Sequence, residues 1–124
     1  MITVEWRESD KVIIVEGSSD KKRVQLVLNE EVEVVCTNGT ISQVKLDEFV
    51  EEFEDRDVYI FFDADQSGEK LRKQFKRELP EARHMYINKM YKEVASAPLY
   101  HLASVLLAAN IDVKVQFLEQ RVNE

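Results

Sequence analysis

Two short runs admit almost no polar side chains: Val12-Ile13-Ile14-Val15 and Tyr59-Ile60-Phe61-Phe62. A strand with one face in water alternates apolar and polar residues. A run that is apolar on both faces therefore belongs to a strand covered on both sides, as in sheets with helices packed on each face. The chain supplies those helices between and after the runs. Ser18 can cap a helix through about Asn29, with Val24, Val27 and Leu28 on one face. Val32–Cys36 reads as a second strand, closed by Thr37-Asn38-Gly39. Leu46, Phe49, Val50 and Phe53 recur at i, i+3, i+4 and i+7, with carboxylates on the opposite side, which predicts a second helix. Val58–Phe62 is the third strand. Ser67 or Gly68 opens a third helix with Leu71, Phe75 and Leu79 inward, stopped by Pro80. His84–Ile87 reads as a fourth strand. Pro98 starts a helix carrying Leu99, Leu102, Val105 and Leu106. The tail alternates at Val113, Val115 and Phe117, the pattern of an edge strand.

Strands and helices alternating through short connections imply parallel strands and right-handed crossovers, hence an α/β fold. The chain's 124 residues suffice for one domain, expected to span 1–124, with its motif-bearing core at about 12–92. No apolar run reaches the roughly 18–20 residues that cross a bilayer. The segment Met1–Trp6 has no basic and apolar pattern of a signal peptide. Cys36 is the single cysteine, so no disulfide framework exists within the chain. These features predict a cytoplasmic protein. Where Ile2–Trp6 packs is left open, at an edge or in a separate ribbon.

Acids follow the apolar strands. Glu16 ends the first, and Asp63 and Asp65 follow the third. Open α/β sheets bind ligands in the crevice outside the carboxyl ends of their strands. Acids gathered there repel one another unless a cation or a raised pKa relieves them, so a magnesium-type site is the economical reading. For Glu16 to meet Asp63 and Asp65, the first and third strands must be neighbours, which gives the order 2-1-3-4. All three glycines, Gly17, Gly39 and Gly68, fall just past the ends of strands one to three. Glycine there permits turns and close approach of main chain to a ligand. His84, at the start of strand four, and His101, in mid-helix, suit packing better than ligation.

The net charge of −7 argues against a general nucleic-acid coat protein, but the charge is uneven. From Gln66 to Lys92, eight bases (Lys70, Arg72, Lys73, Lys76, Arg77, Arg83, Lys89 and Lys92) face only Glu69, Glu78 and Glu81. Such polarity can focus a polyanion onto one face. Lys70 and Lys73 fall in the first two turns of the helix leaving the acidic loop, and Lys89 follows strand four, so all three could meet a phosphate chain.

Glu16-Gly17 at a strand end, followed later by Asp63-Ala64-Asp65-Gln66-Ser67-Gly68, resembles the pattern of the Toprim family, the catalytic module of topoisomerases, bacterial primases, certain nucleases and ribosomal-RNA maturases. The likeness is closest to the small bacterial ribosomal-RNA maturases. It takes in Glu16-Gly17-Ser18-Ser19-Asp20, the Thr37-Asn38-Gly39-Thr40 turn and Ser67-Gly68-Glu69-Lys70-Leu71-Arg72. The resemblance implies a three-layer α/β/α, Rossmann-like fold with a mainly parallel sheet. It makes Glu16 the general acid or base, or a metal ligand, and gives Asp63 and Asp65 to magnesium, with manganese as a substitute. Asp20 matches an acid of the nuclease-like members and would serve a second metal; its place in a first helical turn is explained equally well by the helix dipole. Gly17, Asn38, Gly39, Ser67 and Gly68 would border the phosphate.

Topoisomerases add a domain with a tyrosine nucleophile, and primases and maturases add substrate-binding regions. A chain of this length is expected to hydrolyse with water, to borrow a partner protein that supplies substrate binding, or to bind without reacting. The implied function is magnesium-dependent, nuclease-like phosphodiester chemistry on RNA or DNA. The alternative is a non-catalytic, metal-dependent nucleic-acid or nucleotide binding module within a complex.

Overall fold

The computed structural model describes residues 10–119, so the expectation for Ile2–Trp6 lies outside the described residues. Strands and helices alternate as β1 (Lys11–Val15), α1 (Ser18–Val27), β2 (Glu33–Cys36), α2 (Gln43–Phe53), β3 (Asp57–Phe61), α3 (Gln66–Glu78), β4 (Arg83–Met85), α4 (Leu99–Ala108) and α5 (Val115–Leu118). Single 3-10 turns at Lys89–Tyr91 and Val94–Ser96 link β4 to α4. The sheet has the order β2-β1-β3-β4, and every pairing is parallel. This is the order that the acids required.

The all-apolar runs sort as covered strands must. Ile13 and Val15 of β1, with Tyr59 and Phe61 of β3, enter one core together with Val24, Val27, Leu102 and Leu106 from α1 and α4. Val12, Ile14, Val58, Ile60 and Phe62 enter the other with Leu46, Phe49, Phe53, Leu71 and Phe75 from α2 and α3. Alternate side chains of a strand point to opposite faces, so each strand feeds both cores. Three layers result, α1 and α4 on one face of the sheet and α2 and α3 on the other. Edge-to-face contacts of Phe75 with Phe49 and Phe62 lock the second core. Among the described residues, no helix is long and apolar enough to cross a membrane.

The expected edge strand at Val113, Val115 and Phe117 does not form. Only Val113 makes an isolated antiparallel bridge, to Leu28 just beyond α1, and Val115–Leu118 is a short helix. The N–H of Lys114 donates to the Val27 carbonyl, and the N–H of Asn29 donates to the Asp112 carbonyl. The alternating pattern finds its partner at the end of a helix rather than at the sheet. Strand four begins one residue earlier than expected and spans three residues, so His84 sits at its midpoint instead of its far end. Asp65, not Ser67 or Gly68, caps α3, and Gly17 occupies the cap position of α1.

Candidate functional site

The register of β1 on β3 (Ile14 opposite Ile60) carries Glu16 to the loop that leaves β3. There the Asp63 N–H donates to Glu16 Oε2 at 2.7 Å. The Asp63 side chain accepts in turn through Oδ1 from the N–H of Val94, at 2.8 Å. Asp65 closes the first turn of α3, accepting the Gly68 N–H through Oδ1 at 2.7 Å. Each of these acids is thus anchored by one oxygen to main chain. The other oxygen (Glu16 Oε1, Asp63 Oδ2, Asp65 Oδ2) takes no hydrogen bond among the described residues.

Half-burial and mutual repulsion set the electrostatics. Burial raises the Asp63 carboxyl to about 7, reinforced by Glu16, Asp20 and Asp65, while the Val94 hydrogen bond pulls the other way. Glu16 is raised above its ordinary value by burial and then by Asp65 and Asp20, against the stabilising N–H of Asp63. Without a cation the rim therefore holds part of its charge as protons.

Asp20 is buried beside them. Its Oδ2 accepts the Gly17 N–H at 2.9 Å, closing the first turn of α1, and the side chain also accepts from the N–H of Ala95. Burial raises its pKa as well. The segment from Lys92 to Ala97 thus folds over the acids: Val94 holds Asp63, Ala95 holds Asp20, the Lys92 carbonyl accepts from Ala64 N–H at 2.6 Å, and Arg23 from α1 grips the Ala97 carbonyl at 2.6 Å. Sequence reasoning missed this segment because its contacts come from backbone groups, which any residue type supplies.

The glycines divide. A Cβ on Gly68 would fall inside the Asp63 carbonyl oxygen, so this position lets α3 pack against the acidic loop. Gly39 has φ +94°, which glycine adopts freely, next to Asn38 at φ 61°. The Asn38 N–H donates to the Glu16 carbonyl at 2.8 Å, tying the β2 turn to the rim. Gly17, at φ −138°, has ordinary extended backbone and room for a side chain. Gly39 and Thr40 form one wall of a groove, Ser67, Lys70 and Gln74 of α3 the other, over Ile41 and Leu71. Three expected phosphate neighbours, Gly39, Ser67 and Lys70, therefore meet in one groove. Lys73 is exposed on α3, and Lys89 is exposed on the 3-10 turn beyond β4.

One base of the cationic segment is not on the surface. Arg72 is 1% exposed. It donates to the carbonyls of Phe62 (3.1 Å) and Met85 (2.6 Å) and pairs with His84 Nδ1 at 3.0 Å. Its guanidinium lies 4.0 Å from the Tyr86 ring centroid. Arg72 pins α3 to the ends of β3 and β4, and it leaves the positive patch to the lysines. Since an arginine can only donate, His84 accepts through Nδ1 and is neutral; burial and then Arg72 lower its pKa to about 4. His101 accepts the Asn88 N–H, a loop-holding role. Cys36 is half-buried, and burial raises its thiol pKa, which disfavours the reactive thiolate.

The acids suit a hard divalent cation in donor type. Among the described residues, no three His, Cys, Asp or Glu side chains converge as a ready-made cage. Magnesium seldom uses one: it binds through one or two carboxylates plus substrate phosphates and keeps several waters. An unbonded carboxylate oxygen on each of Glu16, Asp63 and Asp65 fits that mode, and mutual repulsion helps raise the pKa of Glu16 and Asp63.

Comparison with known proteins follows the same residues. The Toprim domain pattern matches residues 11–90. The uncharacterized protein YusF of Bacillus subtilis (strain 168) is 58% identical over 114 residues, covering 92% of this chain and 78% of its own length. The solved structure of a small TOPRIM domain protein from Bacillus stearothermophilus superposes with a TM-score of 0.87 at 58% identity, covering 90% of this chain and 95% of that one. Ribonuclease M5 1 of Ligilactobacillus salivarius (strain UCC118) is 38% identical over 80 residues, 64% of this chain and 42% of the ribonuclease. The matched stretch contains every strand of the sheet and both acidic strand ends, and the chain belongs to the Toprim domain family.

Proposed function

We propose that this chain hydrolyses phosphodiester bonds of nucleic acid with a divalent cation, using Glu16, Asp63 and Asp65. The family and the similarity to ribonuclease M5 support the coarser function, metal-dependent nucleic-acid processing. The observation that carries the finer reading is the shared arrangement of the acids, each with one oxygen anchored to main chain and one unbonded. Magnesium or manganese, when bound, would stabilise charge on the phosphate and make water more acidic. Asp63 and Asp65 would hold that cation. Glu16, steadied by the Asp63 N–H, would exchange a proton through Oε1. Asp20 shapes the rim through Gly17 and Ala95, and from its place beside the acids it would serve a second cation. Lys70 and Lys73, on the first two turns of α3, and Lys89 would steady the flanking phosphates. A protein partner would supply substrate selection.

A second reading, a metal-dependent binding module within a complex, draws on the open spacing of the acids and the net charge of −7. The experiment is incubation of the protein with labelled RNA and DNA oligonucleotides in magnesium or manganese. Parent protein should cut at least one of them, and Glu16→Gln should abolish cutting while circular dichroism shows the fold intact. Millimolar cation should raise the parent melting temperature through binding to the native state, and Asp63→Asn should sharply reduce that response. Oligonucleotide binding without cutting in either metal would favour the binding module.

A further inference from the structure

Tyr86 is a large aromatic ring left 52% exposed at the end of β4, the outer strand on the side of the sheet nearest the acidic loop. Met85 stands opposite Phe61, so one further step sets Tyr86 beside Phe62, the residue before Asp63. Neighbouring strands are separated by about 4.8 Å, which keeps the ring at the acidic rim. It is also held in place. The Arg72 guanidinium backs the ring at 4.0 Å, and the His84 ring lies nearly parallel to it at 6.4 Å between centroids, with planes 28° apart. Arg72 is itself fixed by two main-chain carbonyls and His84, so the ring loses little further freedom when a partner covers it.

Charge and exposure within the next few residues identify the partner. Exposed Lys89 and Lys92 follow, and Met90 is 73% exposed between them. Cationic side chains beside a fixed aromatic face are the combination by which proteins hold single-stranded nucleic acid, the bases stacking while the cations track the backbone.

We propose that Tyr86, backed by Arg72, is a stacking platform for an unpaired nucleobase of the strand whose phosphate meets Glu16, Asp63 and Asp65. The inference rests on the nucleic-acid reading above and adds to it a preference for unpaired bases next to the site. A paired, fully stacked duplex base has no free face to offer the ring. The substrate is then a single strand, an overhang or a frayed end.

The test measures the affinity of parent, Tyr86→Phe and Tyr86→Leu for short single-stranded oligonucleotides, intact or with one abasic position moved along the strand. Base–aromatic stacking is worth about 1–3 kcal/mol, so Tyr86→Leu should weaken binding roughly 5- to 150-fold. Tyr86→Phe should bind within about threefold of the parent, since the platform needs the ring and not the hydroxyl. One abasic position should weaken parent binding by a similar factor, and Tyr86→Leu should be indifferent to it. The abasic scan changes the ligand alone, so it can overturn the platform even where a variant loses its fold. Tyr86→Leu binding as the parent does, or a parent equally tolerant of every abasic position, overturns the platform and leaves the nucleic-acid reading standing. A parent that binds no oligonucleotide overturns both.

Discussion

Gly68 packs so tightly against the carbonyl oxygen of Asp63 that a single added methyl has nowhere to go. The helix that carries Ser67 and Lys70 is thereby pressed onto the loop that carries the acids. Gly68→Ala should destabilise the protein by about 1–3 kcal/mol, the usual cost of overpacking, and should blunt the melting response to magnesium. Gly17→Ala is the control, because its Cβ would meet only Asp20 Oδ2 at an ordinary 3.6 Å. It should stay within about 1 kcal/mol of the parent, as loss of a glycine cap offsets reduced freedom in the unfolded chain. Urea denaturation of both variants checks the pair, and equal losses would refute the packing role.

Arg72 makes a second structural prediction. Arg72→Met would leave the carbonyls of Phe62 and Met85 and the Nδ1 of His84 without their donor. Unpaired buried acceptors cost about 1–3 kcal/mol each, so a loss of about 3 kcal/mol or more is expected. Arg72→Lys should rescue little, since an ammonium cannot span these acceptors and also stack on Tyr86. Denaturant midpoints for both variants measure it; a loss below about 1 kcal/mol for Arg72→Met would show that Arg72 is dispensable.

The acidic rim should give the cation-free protein a distinctive pH dependence. The Asp63 carboxyl is raised from 3.8 to about 7 in the folded state, so its contribution is fully present below pH 3.8 and is lost as pH rises through 7. His84 has the opposite sign: its pKa falls from 6.5 to about 4, so its contribution is present above pH 6.5 and is lost as pH falls through 4. Asp63→Asn removes the first dependence and can keep the Val94 hydrogen bond through its amide oxygen. The variant should therefore gain stability relative to the parent as pH rises from 5 to 8 in chelator. Urea midpoints across that range test this; a pH-independent difference between the two proteins would contradict it.

The lysines offer a test that depends on salt. Each phosphate contact contributes about 0.9 to the slope of log affinity against log salt on duplex DNA, and about 0.7 on single strands. Replacing Lys70, Lys73 and Lys89 together by Gln should flatten the slope by roughly two to three units at most. Arg72 should contribute nothing to that slope, being buried. A salt titration with parent and triple variant that gives equal slopes would show these lysines to be only a solvated surface.

Much of this molecule was legible in the chain itself. Val12–Val15 and Tyr59–Phe62 announced covered strands because burial on both faces leaves no place for a polar residue. The acid at each strand end required β1 and β3 to be neighbours, and the order β2-β1-β3-β4 follows. Tertiary structure decided the rest, since it depends on groups that every residue carries or on partners far away in sequence. Main-chain N–H groups of Val94 and Ala95 anchor Asp63 and Asp20, and residue type does not announce a backbone donor. Arg72 read as one more surface base, yet packing turned it inward to carbonyls on two strands. Val113, Val115 and Phe117 carried the period of a strand, but a strand needs an edge, and the nearest open backbone was the end of α1. Local pattern set which segments form and what they bury; long-range hydrogen bonding set which side chains face the site and which hold it in place.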